Sequence, residues 1–171
     1  MNDKTATVHL RPETLTAAAF APFGNVIETS ARANNQMNSG TFARFDNLAT
    51  VATDGNQHST ISLVRSESPA TLPHRFTLVE KHPLCSQAFI PRTEFVFYVV
   101  VGAAGERITA QDLHAFVCNG RQGISYYPGT WHMPLIALQR DQEFIVVDQS
   151  NLPGNLVELN LDQSVTLNPA A

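Results

Sequence analysis

Long apolar runs are missing from this sequence: the longest, Phe95 to Val101, has seven residues, where a membrane-spanning helix needs about twenty. Charge is scarce as well, at 15% of residues, and Lys plus Arg number 11 against 15 Asp plus Glu, a net charge of −4. That balance offers no basic field for nucleic-acid phosphates or anionic lipid, so no nucleic-acid or membrane partner is expected. There are only two cysteines, Cys85 and Cys118, and no C-x-x-C pair, which argues against a disulfide scaffold or a zinc ribbon. They read as small buried hydrophobes in a reducing compartment. Met1 to Leu10 is polar and lacks the apolar core of a signal peptide, so a cytoplasmic location is expected. Also absent are G-x-G-x-x-G after a strand, G-x-x-x-x-G-K-[ST], G-x-S-x-G and H-E-x-x-H. Nucleotide-binding, serine-hydrolase and zincin chemistry therefore lose their usual support, and no nucleotide cofactor is expected.

What is present is apolar residue content of 43% over 171 residues, enough to bury one independent core, so a single domain over 1–171 is expected. Pro12 to Phe20 predicts a short helix, with Pro22 just beyond it. About 1–30 would then hold the N-terminal helix and a first strand. Thr29 to Thr41, small and polar, reads as a loop. Short β-type runs follow at Thr60–Val64, Phe76–Val79, Phe95–Val101, Ala115–Cys118, Gly123–Tyr127 and Glu143–Val147. The Pro and Gly between them predict an all-β sandwich or barrel with one or two short helices, the second at Arg107–His114. About 162–171 is expected to be a loose tail. Phe95 to Val101 is apolar at both parities, so it should be covered on both faces, and a subunit partner is one candidate cover.

Two Pro-bounded stretches concentrate the polar residues. In Glu80-Lys81-His82-Pro83 through Gln87-Ala88-Phe89-Ile90-Pro91, positions 80 and 82 of a strand share a face, Pro83 suits an edge or bulge, and a bulge returns Gln87 to that face. In Gly123 through Pro134, Pro128-Gly129 makes a tight turn that delivers Trp131 and His132 to the next strand. His9, His58, His74 and His114 sit in no such constellation.

These stretches resemble the two cupin motifs, H-x-H followed by an acid, and P-x-G-x-x-H. Aligned so, Glu80, His82, Gln87 and His132 take the four metal-ligand places of a double-stranded β-helix, a jelly-roll barrel. The runs "VEKHPLCSQAFIP", "LHAFVCNGRQGISYYPGTWHMPLIAL" and "FIVVDQS", with "APFGNVIE" near the start, resemble the ureidoglycolate lyase family, also called ureidoglycolate hydrolase. The likeness runs in order from about Phe20 to about Ser150. It implies a homodimeric, cupin-like carbon–nitrogen lyase of allantoin and purine catabolism that splits ureidoglycolate into glyoxylate and urea, with a divalent metal, nickel, as cofactor. One departure stands out: the family's second stretch typically reads Y-H-R-G-T-W-H-H-P, whereas Tyr127 and Met133 replace two of its His.

Ureidoglycolate carries a hydroxyl, a carboxylate and a ureido nitrogen on one carbon. Releasing urea takes a base for the hydroxyl proton, an acid for the leaving nitrogen and a cation for the carboxylate, but no water nucleophile. Either His82 or His132 can be the base, the other serving as acid or metal ligand, with Glu80 beside them. Arg44 or Arg65 can clamp the carboxylate bidentately. Gln87 can read the ureido amide, and Trp131 and Phe89 can wall the pocket. The bland alternatives are strand-end histidines, surface arginines and core aromatics. A lyase or isomerase acting on a related hydroxy acid, and a non-catalytic cupin that binds a small acid, are the competing functions.

Overall fold

The computed structural model describes residues 6–29, 32–55, 58–149 and 151–171. The first five residues and part of the loop expected at 29–41 lie outside them. Among the described residues, fourteen strands and one α-helix follow in chain order. The first are β1 (Val8–Leu10), β2 (Glu13–Thr14), helix α1 (Ala17–Phe20), β3 (Gly24–Ile27), β4 (Asn35–Met37) and β5 (Phe42–Arg44). Then come β6 (Thr60–Arg65), β7 (His74–Lys81), β8 (Gln87–Pro91), β9 (Tyr98–Gly102), β10 (His114–Val117) and β11 (Gly123–Tyr126). The series ends with β12 (Trp131–His132), β13 (Glu143–Asp148) and β14 (Val157–Leu167). A 3-10 turn, Ala110–Asp112, precedes β10.

The strands form a seven-stranded sheet, ordered β1-β14-β7-β12-β9-β10-β2, and a five-stranded sheet, ordered β3-β11-β8-β13-β6, while β4 and β5 pair apart. The inner faces of the two sheets share one core, in which Phe97, Val99, Val101 and Phe116 of the larger sheet's layer meet Phe89, Ile124, Tyr126 and Phe144 of the smaller. This is the all-β chain with short helices that the strand pattern predicts, in the cupin-like, jelly-roll form that the resemblance implies.

β9 alternates between two cores. Val99 and Val101 face the barrel interior, while Tyr98 and Val100 enter a second cluster with Val79, Ile108, Leu113, Trp131, Met133, Val165 and Leu167. The expected double burial of this strand is thus met within one chain: residues 108–113 and the β14 side chains supply the outer cover. The partner subunit invoked as a candidate cover is not needed there.

The helix is shorter than its composition predicts. Only 17–20 is helical, with the Thr16 side chain accepting from the Ala19 N–H at its start, because Glu13 and Thr14 are drawn into parallel pairing with β10. The loop reading of 29–41 likewise gives way in part to β4 and its hairpin with β5. The tail expected to be loose from about 162 is corrected: β14 continues to Leu167, fully buried, because its apolar residues Val165 and Leu167 complete the second core. Beyond it, Asn168 donates its N–H to the Leu10 carbonyl. β14 escaped notice because polar residues interrupt it and a bulge breaks its pairing with β7 between Asn160 and Val165.

Close approach of β3 to β11 depends on Gly24, where a Cβ would overlap the backbone carbonyl oxygen of Ser125. Gly24→Ala is expected to lower stability by about 3 kcal/mol through overpacking against unyielding backbone. Gly154→Ala, at a left-handed turn with φ +75 and open space around it, should cost only about 1 kcal/mol. Urea denaturation of both variants checks the difference.

Candidate active site

The two-residue strand β12 lies between β7 and β9, with His132 opposite Glu80 on one side and Val101 on the other. Directly opposed residues share a face, so His132 and Glu80 both point into the barrel with Val101. Trp131, one position earlier, points the other way. The turn that sets this phase is Tyr127-Pro128-Gly129-Thr130: the Thr130 N–H returns to the Tyr127 carbonyl at 3.1 Å, and Gly129 takes φ +80. Pro before a positive-φ Gly is the type II pattern. The Gly129 N–H also donates to the His82 carbonyl at 2.8 Å, which ties the turn to the end of β7.

His82 sits just past β7, half-buried, and its ring lies 5.4 Å from that of His132. His82 Nδ1 is 2.8 Å from the Asn155 carbonyl, and His132 Nδ1 is 3.0 Å from the Thr130 carbonyl. A carbonyl only accepts, so both rings carry a proton on Nδ1, and Nε2 is the atom on each left to take up or give a second proton or to bind a cation. His132 is 2% exposed, and Tyr126 stacks on it at 4.4 Å and 17°.

Among the described residues the His132 Nε2 is buried without a hydrogen bond, at 3.4 Å from Glu80 Oε1. The contact with His132 holds the Glu80 carboxyl below the ordinary carboxylate range, burial works against this, and the charges of His132 and His82 add to the lowering. Two electron-rich atoms at that separation call for a proton or a cation between them. One ligand atom each from Glu80, His82 and His132 lies within 4.8 Å of the others. Two imidazoles fixed through Nδ1 by carbonyls, plus one carboxylate, suit a divalent metal of the zinc, iron or nickel kind.

The other predicted residues are placed differently. Gln87, opposite Tyr126 in the register, shares the inner face and donates from Nε2 to Asp148 Oδ2 at 3.1 Å. Phe89 is buried in the shared core, edge-on to Tyr126 and Phe144. Trp131 belongs to the second core, where its Nε1 donates to the Gly105 carbonyl and the Lys81 ammonium lies 4.4 Å from its ring. Arg65 is exposed at the far end of β6, paired with Glu143, five register positions from Thr60 opposite Asp148. Arg44 is exposed on β5 and paired with Asp46. The structure thus gathers Glu80, His82 and His132, sets Gln87 on the same inner face, and leaves both arginines outside the group.

Sequence reasoning missed Asn155, Tyr126 and Asp148. The Asn155 side chain accepts from the Leu84 N–H and donates to Cys85 Sγ, so its turn is clamped to the His82 loop. The only visible signal was its place in a Pro-Gly-Asn turn. The two departures from the family's histidines point elsewhere. The Tyr127 hydroxyl accepts from Asn25 at 3.2 Å on the outer side, and Met133 is buried in the second core.

A two-sheet barrel that collects two imidazoles and a carboxylate has the build of a cupin-like enzyme. The sequence profile of ureidoglycolate lyase matches residues 7–168. A ureidoglycolate lyase of Burkholderia mallei (strain NCTC 10229) is 46% identical over 156 residues, covering 91% of each chain. One of Pseudomonas aeruginosa (strain LESB58) is 39% identical over 162 residues, 94% of this chain and 96% of its own. Another, from Pseudomonas fluorescens (strain SBW25), is 40% identical over 85% of this chain and 87% of its own. The chain belongs to the ureidoglycolate lyase family.

Restoring the family's histidines tests the outward placement. Tyr127→His should leave turnover within about twofold, because the side chain is exposed. Met133→His should cost about 2–3 kcal/mol in a denaturant titration, since it puts a polar ring into an apolar core, and should bring no gain in rate.

Proposed function

We propose that this chain is a ureidoglycolate lyase working as a single domain, and that Glu80, His82 and His132 are its reacting centre. The convergence of the two imidazoles on Glu80, with the His132 Nε2 buried and unpartnered, is the observation that carries the reading. His82, the member of the group that also lines a neighbouring cavity of about 290 Å³, takes the substrate hydroxyl proton on Nε2. As the C–O bond becomes a carbonyl, the C–N bond breaks and its electrons pass to the ureido nitrogen. That nitrogen receives the proton held between His132 Nε2 and Glu80 Oε1. The products are glyoxylate and urea, and every proton is accounted for without water. Tyr126 and the Thr130 carbonyl keep the His132 ring from turning, so its proton is delivered along one direction.

The same three side chains would hold a divalent metal, nickel by the family resemblance. When bound, it would polarise a substrate oxygen in place of imidazole proton transfer. Incubation with ureidoglycolate should yield urea and glyoxylate in equal amounts and no ammonia. His82→Ala and His132→Ala should each lower kcat by roughly 10²–10⁴. Ammonia release, or no acceleration by the unaltered protein, overturns the reading. Metal analysis of protein purified without chelator separates the two loadings: stoichiometric metal lost in both variants marks a metal site, and its absence leaves proton transfer alone.

Among the described residues no helix is long and apolar enough to cross a membrane. The two buried free cysteines suit the cytoplasm, where thiols stay reduced. We assign a homodimer to the outer face of the five-stranded sheet. Ile61 and Leu63, 78% and 60% exposed, stand opposite Val147 and Ile145, which in turn oppose Ala88 and Ile90. These six make one apolar stripe on the side away from Phe144 and Val146, of a kind that marks contact surfaces. Leu63→Glu should halve the mass measured in solution at micromolar concentration. A monomeric mass for the unaltered chain refutes the dimer.

A further inference from the structure

One carboxylate beside the reacting centre has no task in the chemistry above. Asp148 closes β13, next to Val147, which pairs with Ala88, so it falls beside Gln87 at the start of β8. The Gln87 Nε2 donates to its Oδ2 at 3.1 Å, whereas Oδ1 is buried and makes no hydrogen bond among the described residues. Asp148 and His82 line the same cavity of about 290 Å³, with Gln149 and Asn155. No salt bridge reaches Asp148 among the described residues.

A carboxylate oxygen withdrawn from water without a donor is costly, and a ligand that brings an N–H to it offsets the cost. Asp148, which lines the cavity, therefore offers the acceptor pair itself: the free Oδ1 and the second lone pair of the Oδ2 that Gln87 holds. A ureido group, with N–H donors on both nitrogens and no negative charge, is complementary to such a pair. A free carboxylate is repelled by it.

We propose that Asp148, held by Gln87, binds the ureido N–H groups and so turns the substrate's carboxylate away from this wall. This rests on the ureidoglycolate reading of the same site and adds to it the residue that selects ureido acids over plain hydroxy acids. It also sets orientation: with the ureido end against Asp148, the hydroxyl-bearing carbon is directed toward His82.

The test is a binding measurement, which needs no turnover. N-carbamoylglycine, a ureido acid without the reacting hydroxyl, and glyoxylate are titrated by calorimetry into the unaltered protein and into Asp148→Asn. In the variant the amide oxygen can keep the bond from Gln87 while an NH₂ donor replaces the free acceptor, so melting should stay within a few degrees. N-carbamoylglycine should bind about tenfold to a hundredfold more weakly to Asp148→Asn, the worth of a hydrogen bond to a charged acceptor. Glyoxylate should bind as tightly or more tightly. Asp148→Leu supplies a second variant without any polar group, with the same ordering expected. Equal losses for both ligands, no loss for N-carbamoylglycine, or an unaltered protein that fails to bind it would each overturn the assignment. Failure of the lyase reading shows itself separately, as absent turnover of ureidoglycolate by a protein that still discriminates between the two ligands.

Discussion

Everything in the site depends on where one very short strand is pinned. β12 has only two residues, yet it pairs on both sides, with β7 and with β9. Because strand side chains alternate, this pinning sends His132 inward and its neighbours Trp131 and Met133 outward. A shift by one residue would exchange an imidazole for an indole at the inner wall and undo both cores together. The register is therefore guarded by packing far larger than the site itself.

Around that strand, backbone groups do the orienting. Carbonyls of Thr130 and Asn155 hold the two Nδ1 atoms, and the Gly129 N–H holds the His82 carbonyl. Such contacts belong to a turn and a loop rather than to side chains of any particular type, so they fix tautomer and direction while leaving little trace in composition. Tyr126 adds a flat surface for His132, and burial raises its own phenol far above the usual range, so it stays neutral beside Glu80. The result is a small polar group embedded in an aromatic interior.

Much of this was legible in the sequence. The spacing of Glu80 and His82 placed them on one face, and Pro128-Gly129 announced the turn that delivers His132. The all-β class followed from short apolar runs between Pro and Gly. What escaped was information carried over long separations. β14 is interrupted by polar residues and bulged, and only its pairing with β7 shows it to be a strand. Asn155 matters through a main-chain oxygen 73 positions away from His82. The outward direction of Trp131 follows from a pairing phase that no local pattern encodes. For the same reason the missing family histidines at 127 and 133 looked more consequential than the geometry makes them.

Trp131 is the chain's sole tryptophan. It stands back to back with His132 on the same two-residue strand, under the Lys81 ammonium. Its emission is consequently a built-in optical reporter: any event that tugs β12 alters the indole's distance from that cation, and the intrinsic fluorescence of the unlabelled protein registers ligand arrival without a coupled assay.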